Sequence, residues 1–567
     1  MMAAEKTLLA LEQRLSRWTL LDSASPHPLW PDPSESSAFL KAVDLLLGTI
    51  RSWDSALSRD GASPTLASCL DRAHNLLHAA VFRLSDEFVS LASAGQLQPS
   101  DDFDDHGEDD DEEDIPVAQP LSDFEIAIEI FPPGVVSDLH EIAKRMVAAG
   151  FADGVCHVYS SNRREFLDES ASRVGFGGDR PYSSGGGREE EGDGDLQNGI
   201  EKWIQAIKLA VHVLFPSERR LADQIFTGYP SVANYCFMEV SRGLMDRFLQ
   251  FADEVCVSGR SVERLFEVLR MFETLTELLP ELDGLFSGSA ACAFLCTEAA
   301  DIRRRLGDTI RAIFREFEVA IQRDSSKPVP GGGLHPLTRY VMNYMRVACD
   351  YKPTLDVIFA PPSGGGGAVG VAPEGGLTAE TLWIMELLMS NLEAKTKAYT
   401  DPALRHLFLM NNWRYIVSKV RDSEGLASLL GAEWIRNQGA KVKQNQAWYQ
   451  RSAWGKVVST LVLQGGAADA SLAPRTVVRE KMRIFSNLFD ENVKEQSGWV
   501  VPDEQLRREI RSAVAEMVVP PFQEFLTKFR HQLGGKGAGG EAVVKYIPEE
   551  LRDRLDELFG GSRPPGC

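Results

Sequence analysis

Apolar residues recur at intervals of three and four positions along nearly the whole sequence. The longest clear run contains Leu70, Ala73, Leu77, Ala80 and Leu84. This spacing places apolar side chains on one face of an α-helix, and no persuasive alternation of period two indicates a strand. A helix of this kind cannot bury its apolar face alone. The pattern therefore predicts an all-α protein, built as an elongated rod of stacked helical bundles.

Two low-complexity stretches divide the helical pattern. Residues 101–114 contain eleven acidic residues in fourteen positions, and residues 176–199 are rich in Gly, Ser and charged residues. Both compositions are typical of solvated, disordered linkers. The predicted organisation is an N-terminal helical and coiled-coil region (1–100), an acidic disordered linker (101–120), a helical hairpin (121–175), a flexible linker (176–199) and a C-terminal helical-bundle rod (200–560).

Charge is distributed unevenly between the two ends of the chain. The net charge is −22, which argues against a general nucleic-acid partner. Residues 401–567, however, carry 24 Lys and Arg against 20 Asp and Glu, a balance of +4. A basic end on an acidic protein suits an anionic membrane surface. Chance variation among solvated faces is an equally good interpretation of composition alone.

Compartment and membrane topology follow from the cysteines and the apolar runs. The eight cysteines form no CxxC pair, and most lie in apolar runs, as expected in a reducing cytosol. No uninterrupted apolar run approaches the ~18 residues that a membrane span requires. The expected location is cytoplasmic, with any membrane contact peripheral.

The sequence contains no recognisable catalytic or cofactor-binding motif. A nucleophile elbow, HExxH, a Walker A loop and a dinucleotide fingerprint are all missing. His74 and His78 have metal-ligand spacing but no third ligand nearby in sequence, so a pair flanking a helix seam is the better interpretation. We therefore predict a protein that is not an enzyme and that uses no metal or cofactor.

Basic residues form two candidate anion-binding groups. The first surrounds the aromatic residues 448, 449 and 454, although aromatics at helical spacing are more often core residues: Lys441, Lys443, Arg451 and Lys456. The second lies near the C-terminus, where acids are interleaved: Lys528, Arg530, His531, Lys536, Lys545, Arg552 and Arg554. Each basic residue close to an anionic membrane contributes about 1 kcal/mol, so three or four together give reversible recruitment.

Several stretches carry a family resemblance. They include LFPSERRLADQIF at 214–226, LFEVLRMFETLTELLPELDGLF at 265–286, HPLTRYVMNYMRVACDY at 335–351, DPALRHLFLMNNWRYIVSKVRDSEGLASLLGAEW at 401–434 and WVVPDEQLRREIR at 499–511. In this order, they resemble the seventy-kilodalton subunit of the exocyst, the vesicle-tethering complex, in its land-plant branch. The likeness covers nearly all of the chain from about residue 81.

The resemblance implies a non-catalytic all-α rod that assembles with other exocyst subunits through its N-terminal helices. It also implies that the C-terminal bundle binds phosphatidylinositol bisphosphate at the plasma membrane. The family motif is Lys-Tyr-Ile followed by a second basic residue and Tyr, whereas here Pro548 follows Ile547 directly. Only Lys545 carries over, so Lys536, Arg552 and Arg554 are the predicted compensating residues, with Lys441–Lys456 as an auxiliary patch.

Two functions are compatible with this resemblance. The first is a subunit that tethers secretory vesicles to the plasma membrane during exocytosis. The alternative is a diverged plant interaction protein of the same fold that acts in immunity or as a target of pathogen effectors, with weakened lipid binding. Small Rho-type GTPases and pathogen effectors are further partners that the sequence leaves open.

Overall fold

The computed structural model describes residues 2–19, 28–60, 64–94, 131–177, 192–258, 261–287, 290–360, 375–462, 474–534 and 544–560. All regular structure in these ranges is helical, and none of these residues lies in a β-strand. The prediction of an all-α fold is confirmed. The acidic segment 101–114, most of the linker 176–199 and Lys536 lie outside the described residues.

The described chain divides into two compact units. Unit 1 comprises residues 1–259 and 267–309, and unit 2 comprises residues 260–266 and 310–567. Apart from α10, which both units share, the helices that lie wholly or mainly in unit 1 are α1 (Met2–Thr19), α2 (Pro33–Asp60), α3 (Pro64–Ala94), α4 (Pro133–Ala148), α5 (Ala152–Arg173), α6 (Gly192–Leu209), α7 (Phe215–Ile225), α8 (Pro230–Val257) and α9 (Leu265–Phe286).

The remaining helices build unit 2, apart from the first part of α10, which belongs to unit 1. They are α10 (Ala290–Arg323), α11 (Pro336–Asp350), α12 (Lys352–Phe359), α13 (Leu377–Thr396), α14 (Pro402–Asp422), α15 (Glu424–Ser459), α16 (Arg475–Gln496), α17 (Glu504–Lys528), α18 (Arg530–Leu533) and α19 (Pro548–Asp556).

Helical spacing in the sequence corresponds to real buried faces. On α3, Leu70, Ala73, Leu77, Ala80 and Leu84 are all buried. This face packs against α1, α2, α4 and α5, so the helix is stabilised by tertiary burial of its apolar stripe.

Two predicted helix breaks at prolines are wrong. A proline inside a helical pattern predicts a break, here at Pro280 and between separate helices at 503–518 and 521–533, yet α9 and α17 continue through these positions. Proline removes a backbone donor and crowds the preceding turn. Burial of Leu278 and Leu282 around Pro280, and of residues 518, 519 and 522 around Pro520, offsets that cost and keeps each helix continuous.

The stretch 404–458 forms α14 and α15, which pack extensively on each other in unit 2. Trp413, Tyr449 and Trp454 are buried, and Gly431 kinks α15 at a φ of 80°, where a side chain would be strained. These contacts make the segment part of the core of unit 2.

Neighbouring asparagines on α14 hold a glycine-rich loop. The Asn412 carbonyl accepts from the His335 backbone N–H at 3.0 Å and from the Thr338 hydroxyl at 2.7 Å. The Asn411 amide donates to the carbonyls of Gly332, at 2.7 Å, and Val500, at 2.8 Å. The side-chain amides of Asn411 and Asn412 thus provide hydrogen-bond partners for backbone groups in non-helical segments, which cannot form the hydrogen bonds of a regular helix.

Candidate functional site

Lys545 lies in an extended segment immediately before α19. Its side chain is 56% exposed, and Nζ lies 2.5 Å from a carboxylate oxygen of Asp490 on α16. The Tyr546 hydroxyl donates to the other oxygen of Asp490, and its ring packs on Phe489 at 5.6 Å between centroids. The hydrogen bond to Asp490 raises the pKa of Lys545, so the ammonium stays charged, but a carboxylate already neutralises much of its field.

Arg552 and Arg554 flank the buried stripe of α19 from opposite sides. Leu551 and Leu555 are buried, whereas both arginines are exposed. Residues two positions apart on a helix do not face each other. Arg554 also pairs with Glu557 at 2.8 Å. The two guanidinium groups therefore cannot both bind the same lipid headgroup, but both remain accessible to a broad anionic surface.

A cleft of about 430 Å³ lies next to the Lys545 segment. Its lining residues come from the end of α17, from α18 and from the segment that leads to Lys545: Leu526, Thr527, Arg530, Leu533, Gly534 and Val544. The fold thus brings Arg530 close to the segment that carries Lys545. We call Lys545, Arg552, Arg554 and this Arg530 cleft the C-terminal basic surface.

Two arginines that sequence reasoning missed lie beside this cleft. Arg475 and Arg479, one turn apart on α16, both donate to the carbonyls of Gln532 and Gly534 at distances between 2.7 and 3.2 Å. Both supply hydrogen-bond donors to carbonyls at the C-terminal end of α18, where the last carbonyls of a helix lack partners within it. In the sequence, only the four-residue spacing of Arg475 and Arg479 indicated that they act together, because the carbonyls they bind lie more than fifty positions away.

The auxiliary basic patch is spread along α15. Lys443, Arg451 and Lys456 are exposed, and Lys441 is half-buried. Lys441 and Lys456 are fifteen residues apart, which corresponds to about 22 Å of helix. Among the interleaved aromatics, Trp448 is exposed and contacts His406, while Tyr449 and Trp454 are core residues. The structure therefore distributes these cations along a helix rather than around one point.

In the part of the chain that the structure describes, no helix is both long enough and apolar enough to cross a bilayer.

Comparison with known proteins decides the family. A family model described as the C-terminal part of the Exo70 exocyst complex subunit matches residues 201–557. Exocyst complex component EXO70B1 of Arabidopsis thaliana is 43% identical, with 98% of this chain and 89% of the relative covered. The chain belongs to the Exo70 family. EXO70B2 and EXO70A1 of the same plant are 39% and 33% identical, each over 98% of this chain and 89% and 88% of their own lengths.

The Exo70 fold is also found in a solved structure. The crystal structure of the Saccharomyces cerevisiae exocyst component Exo70p covers 98% of both chains with a TM-score of 0.58 and 14% identity. At this identity, the match supports the fold only. Exo70 proteins are non-catalytic scaffold subunits of the exocyst, so the prediction that this chain is not an enzyme is confirmed by its family.

Proposed function

We propose that this Exo70 protein helps to tether secretory vesicles at the plasma membrane by binding other exocyst subunits and an anionic phosphoinositide membrane. Family membership over nearly the whole chain supports the tethering role. The observation that carries the membrane contact is the exposure of Lys545, Arg552 and Arg554 on adjoining segments of unit 2. In this proposal, the protein is cytoplasmic and is recruited peripherally.

The C-terminal basic surface suits a diffuse membrane contact better than a tight headgroup pocket. Lys545 and Arg554 already have acidic partners, and Arg552 and Arg554 point to different sides of α19. Ile547, which is 53% exposed, adds an apolar side chain beside Lys545. Apolar burial combined with attraction to anionic lipids is the usual basis of reversible membrane association.

Sedimentation of the full-length chain with vesicles tests this surface. The triple variant Lys545→Ala/Arg552→Ala/Arg554→Ala should weaken binding to phosphatidylcholine vesicles that contain phosphatidylinositol bisphosphate by about 10- to 100-fold. Each free cation contributes about 1 kcal/mol, and Lys545 and Arg554, which are already paired with acids, contribute less. Asp490→Asn should have the opposite effect, because it releases Lys545 from its carboxylate. We expect Asp490→Asn to strengthen binding by up to about fivefold.

The control removes the same amount of charge from unit 1. Arg173, Arg242 and Arg304 are exposed, and each is paired with an acid on its own helix. Their combined replacement by alanine should leave vesicle binding nearly unchanged if the contact is local. Equal losses in both triple variants would indicate a general charge effect, and an unchanged affinity after loss of Lys545, Arg552 and Arg554 would reject the surface.

The second candidate function is an interaction protein of the same fold with weakened lipid binding. The ion pair between Lys545 and Asp490, together with Pro548 in place of the second basic residue of the family motif, favours this alternative. It predicts that the wild-type chain does not sediment with phosphoinositide vesicles. Binding by the wild type that is lost in the triple variant would reject this candidate.

A further inference from the structure

Two buried cysteines of unit 1 face each other across a helix interface. Cys156 on α5 and Cys236 on α8 are 3% and 0% exposed, and their Sγ atoms lie 2.6 Å apart. Both are free thiols. A disulfide bond has a length close to 2.05 Å, so the two sulfur atoms need to approach by only about 0.6 Å to form one.

The surrounding contacts hold α5 and α8 in this arrangement. Arg247 on α8 pairs with Asp168 on α5 at 2.7 Å, and Arg164 on α5 bonds both the side chain and the backbone carbonyl of Glu239 on α8. One turn after Cys156, Tyr159 donates to buried Glu218 of α7. Because these contacts fix α5, α7 and α8 around the sulfur atoms, a disulfide bond between the two thiols requires little backbone movement.

We propose that Cys156 and Cys236 are a redox-sensitive pair that forms a reversible disulfide when a hydroperoxide oxidises it. With hydrogen peroxide, the sulfur of Cys156 attacks the O–O bond, which gives a sulfenic acid and one water molecule. The sulfur of Cys236 then attacks the sulfenic sulfur, the S–O bond breaks and a second water molecule leaves. The two thiols thus lose two electrons and two hydrogens in total, and a dithiol reductant reverses the change.

The shared hydrogen bond distinguishes the two thiols. Cys236 donates to the sulfur of Cys156. This hydrogen bond lowers the pKa of Cys156, whereas the same bond and burial raise the pKa of Cys236. The thiolate is the reactive form of cysteine. Cys156 is therefore the attacking residue, and Cys236 is the thiol that resolves the sulfenic acid.

A disulfide at this position would covalently link two parts of unit 1 that are distant in sequence. The residues between the two cysteines include α6 and α7, so the cross-link closes a long loop. Closing a long loop restricts the unfolded chain and stabilises the folded one. We expect oxidation to raise the Tm of unit 1 by about 5 °C or more.

Peptide mapping of the full-length chain tests the pair. The reduced protein is treated with hydrogen peroxide, remaining thiols are alkylated, and the protein is digested without reduction. We expect one peptide pair that joins Cys156 to Cys236, with a mass two hydrogens below the sum of its parts, and its loss after treatment with dithiothreitol. The increase in Tm should be lost with the cross-link.

Single variants assign the roles of the two thiols. In Cys236→Ser, peroxide should leave Cys156 as a sulfenic acid that dimedone traps, and in Cys156→Ser neither the cross-link nor the adduct should form. Cys69→Ser removes a different buried thiol and should leave the cross-link intact. If wild-type Cys156 and Cys236 are both alkylated after peroxide treatment, or if either is linked to a different cysteine, the proposal is wrong.

Discussion

Replacement of Glu218 by glutamine should destabilise unit 1 by about 3–5 kcal/mol, because it leaves a buried arginine without its counter-ion. The side chains of Arg163 and Glu218 are 2% and 0% exposed, and two guanidinium nitrogens of Arg163 lie 2.9 Å from Glu218 Oε2. Tyr159 donates its hydroxyl hydrogen to the other carboxylate oxygen at 2.5 Å. Glutamine keeps the shape of Glu218 and one of its two acceptor oxygens, so the variant removes the charge and one acceptor without leaving a cavity.

Amide hydrogen exchange is the suitable measurement, because a chain with two units need not unfold in one transition. Protection of α5 and α7 should fall by about a hundredfold to a few thousandfold, since every 1.4 kcal/mol is a factor of ten. Glu169→Gln on α5 is the control, because it breaks an exposed pair with Arg173 and should cost less than about 0.5 kcal/mol. Equal effects of the two substitutions would contradict the buried network.

Asn412→Ala should destabilise unit 2 by about 3–5 kcal/mol, because two buried donors lose their acceptor at about 1–3 kcal/mol each. Those donors are the His335 backbone N–H and the Thr338 hydroxyl. The alanine also loses the bonds that the Asn412 amide donates to the Phe408 carbonyl, at 2.8 Å, and to the Gly333 carbonyl, at 3.3 Å. Asn412 thus bonds both ends of the 333–335 segment.

Two measurements test the loss of stability in Asn412→Ala: thermal unfolding, and amide hydrogen exchange of α11 and α14. Ser418→Ala on the same helix removes only an exposed bond to Asp422 and should change stability by less than about 0.5 kcal/mol. If Asn412→Ala destabilises unit 2 no more than Ser418→Ala does, then the asparagine pair does not organise the core of unit 2.

Local pattern was sufficient to predict the helical class of the fold. The run from Leu70 to Leu84 predicted α3 because periodic spacing and burial agree there. The same reasoning was wrong at Pro280 and Pro520, where tertiary burial outweighs the local cost of proline. Whether a segment is helical can be predicted from residues close to it in sequence. Whether a helix continues through a proline depends on the tertiary contacts of the flanking side chains.

The candidate site was less accessible to sequence reasoning. Lys545 was one of seven basic residues in the C-terminal group, and only its resemblance to a family motif singled it out. Its partner Asp490 lies 55 positions earlier in the chain. Arg475 and Arg479 were missed because their acceptors are backbone carbonyls of α18 and the residue after it. Likewise, Cys156 and Cys236 are 80 positions apart, and only the packing of α5 on α8 brings them together.

Affinity purification of the tagged full-length chain from its native tissue, scored by mass spectrometry for exocyst subunits, tests the central claim most directly. An Exo70 protein that acts in tethering should recover the remaining subunits well above a tag-only control. The Lys545→Ala/Arg552→Ala/Arg554→Ala variant should recover the same subunits, because its changes lie on the surface proposed to face the membrane. Recovery of the chain without any other exocyst subunit would contradict the proposed function.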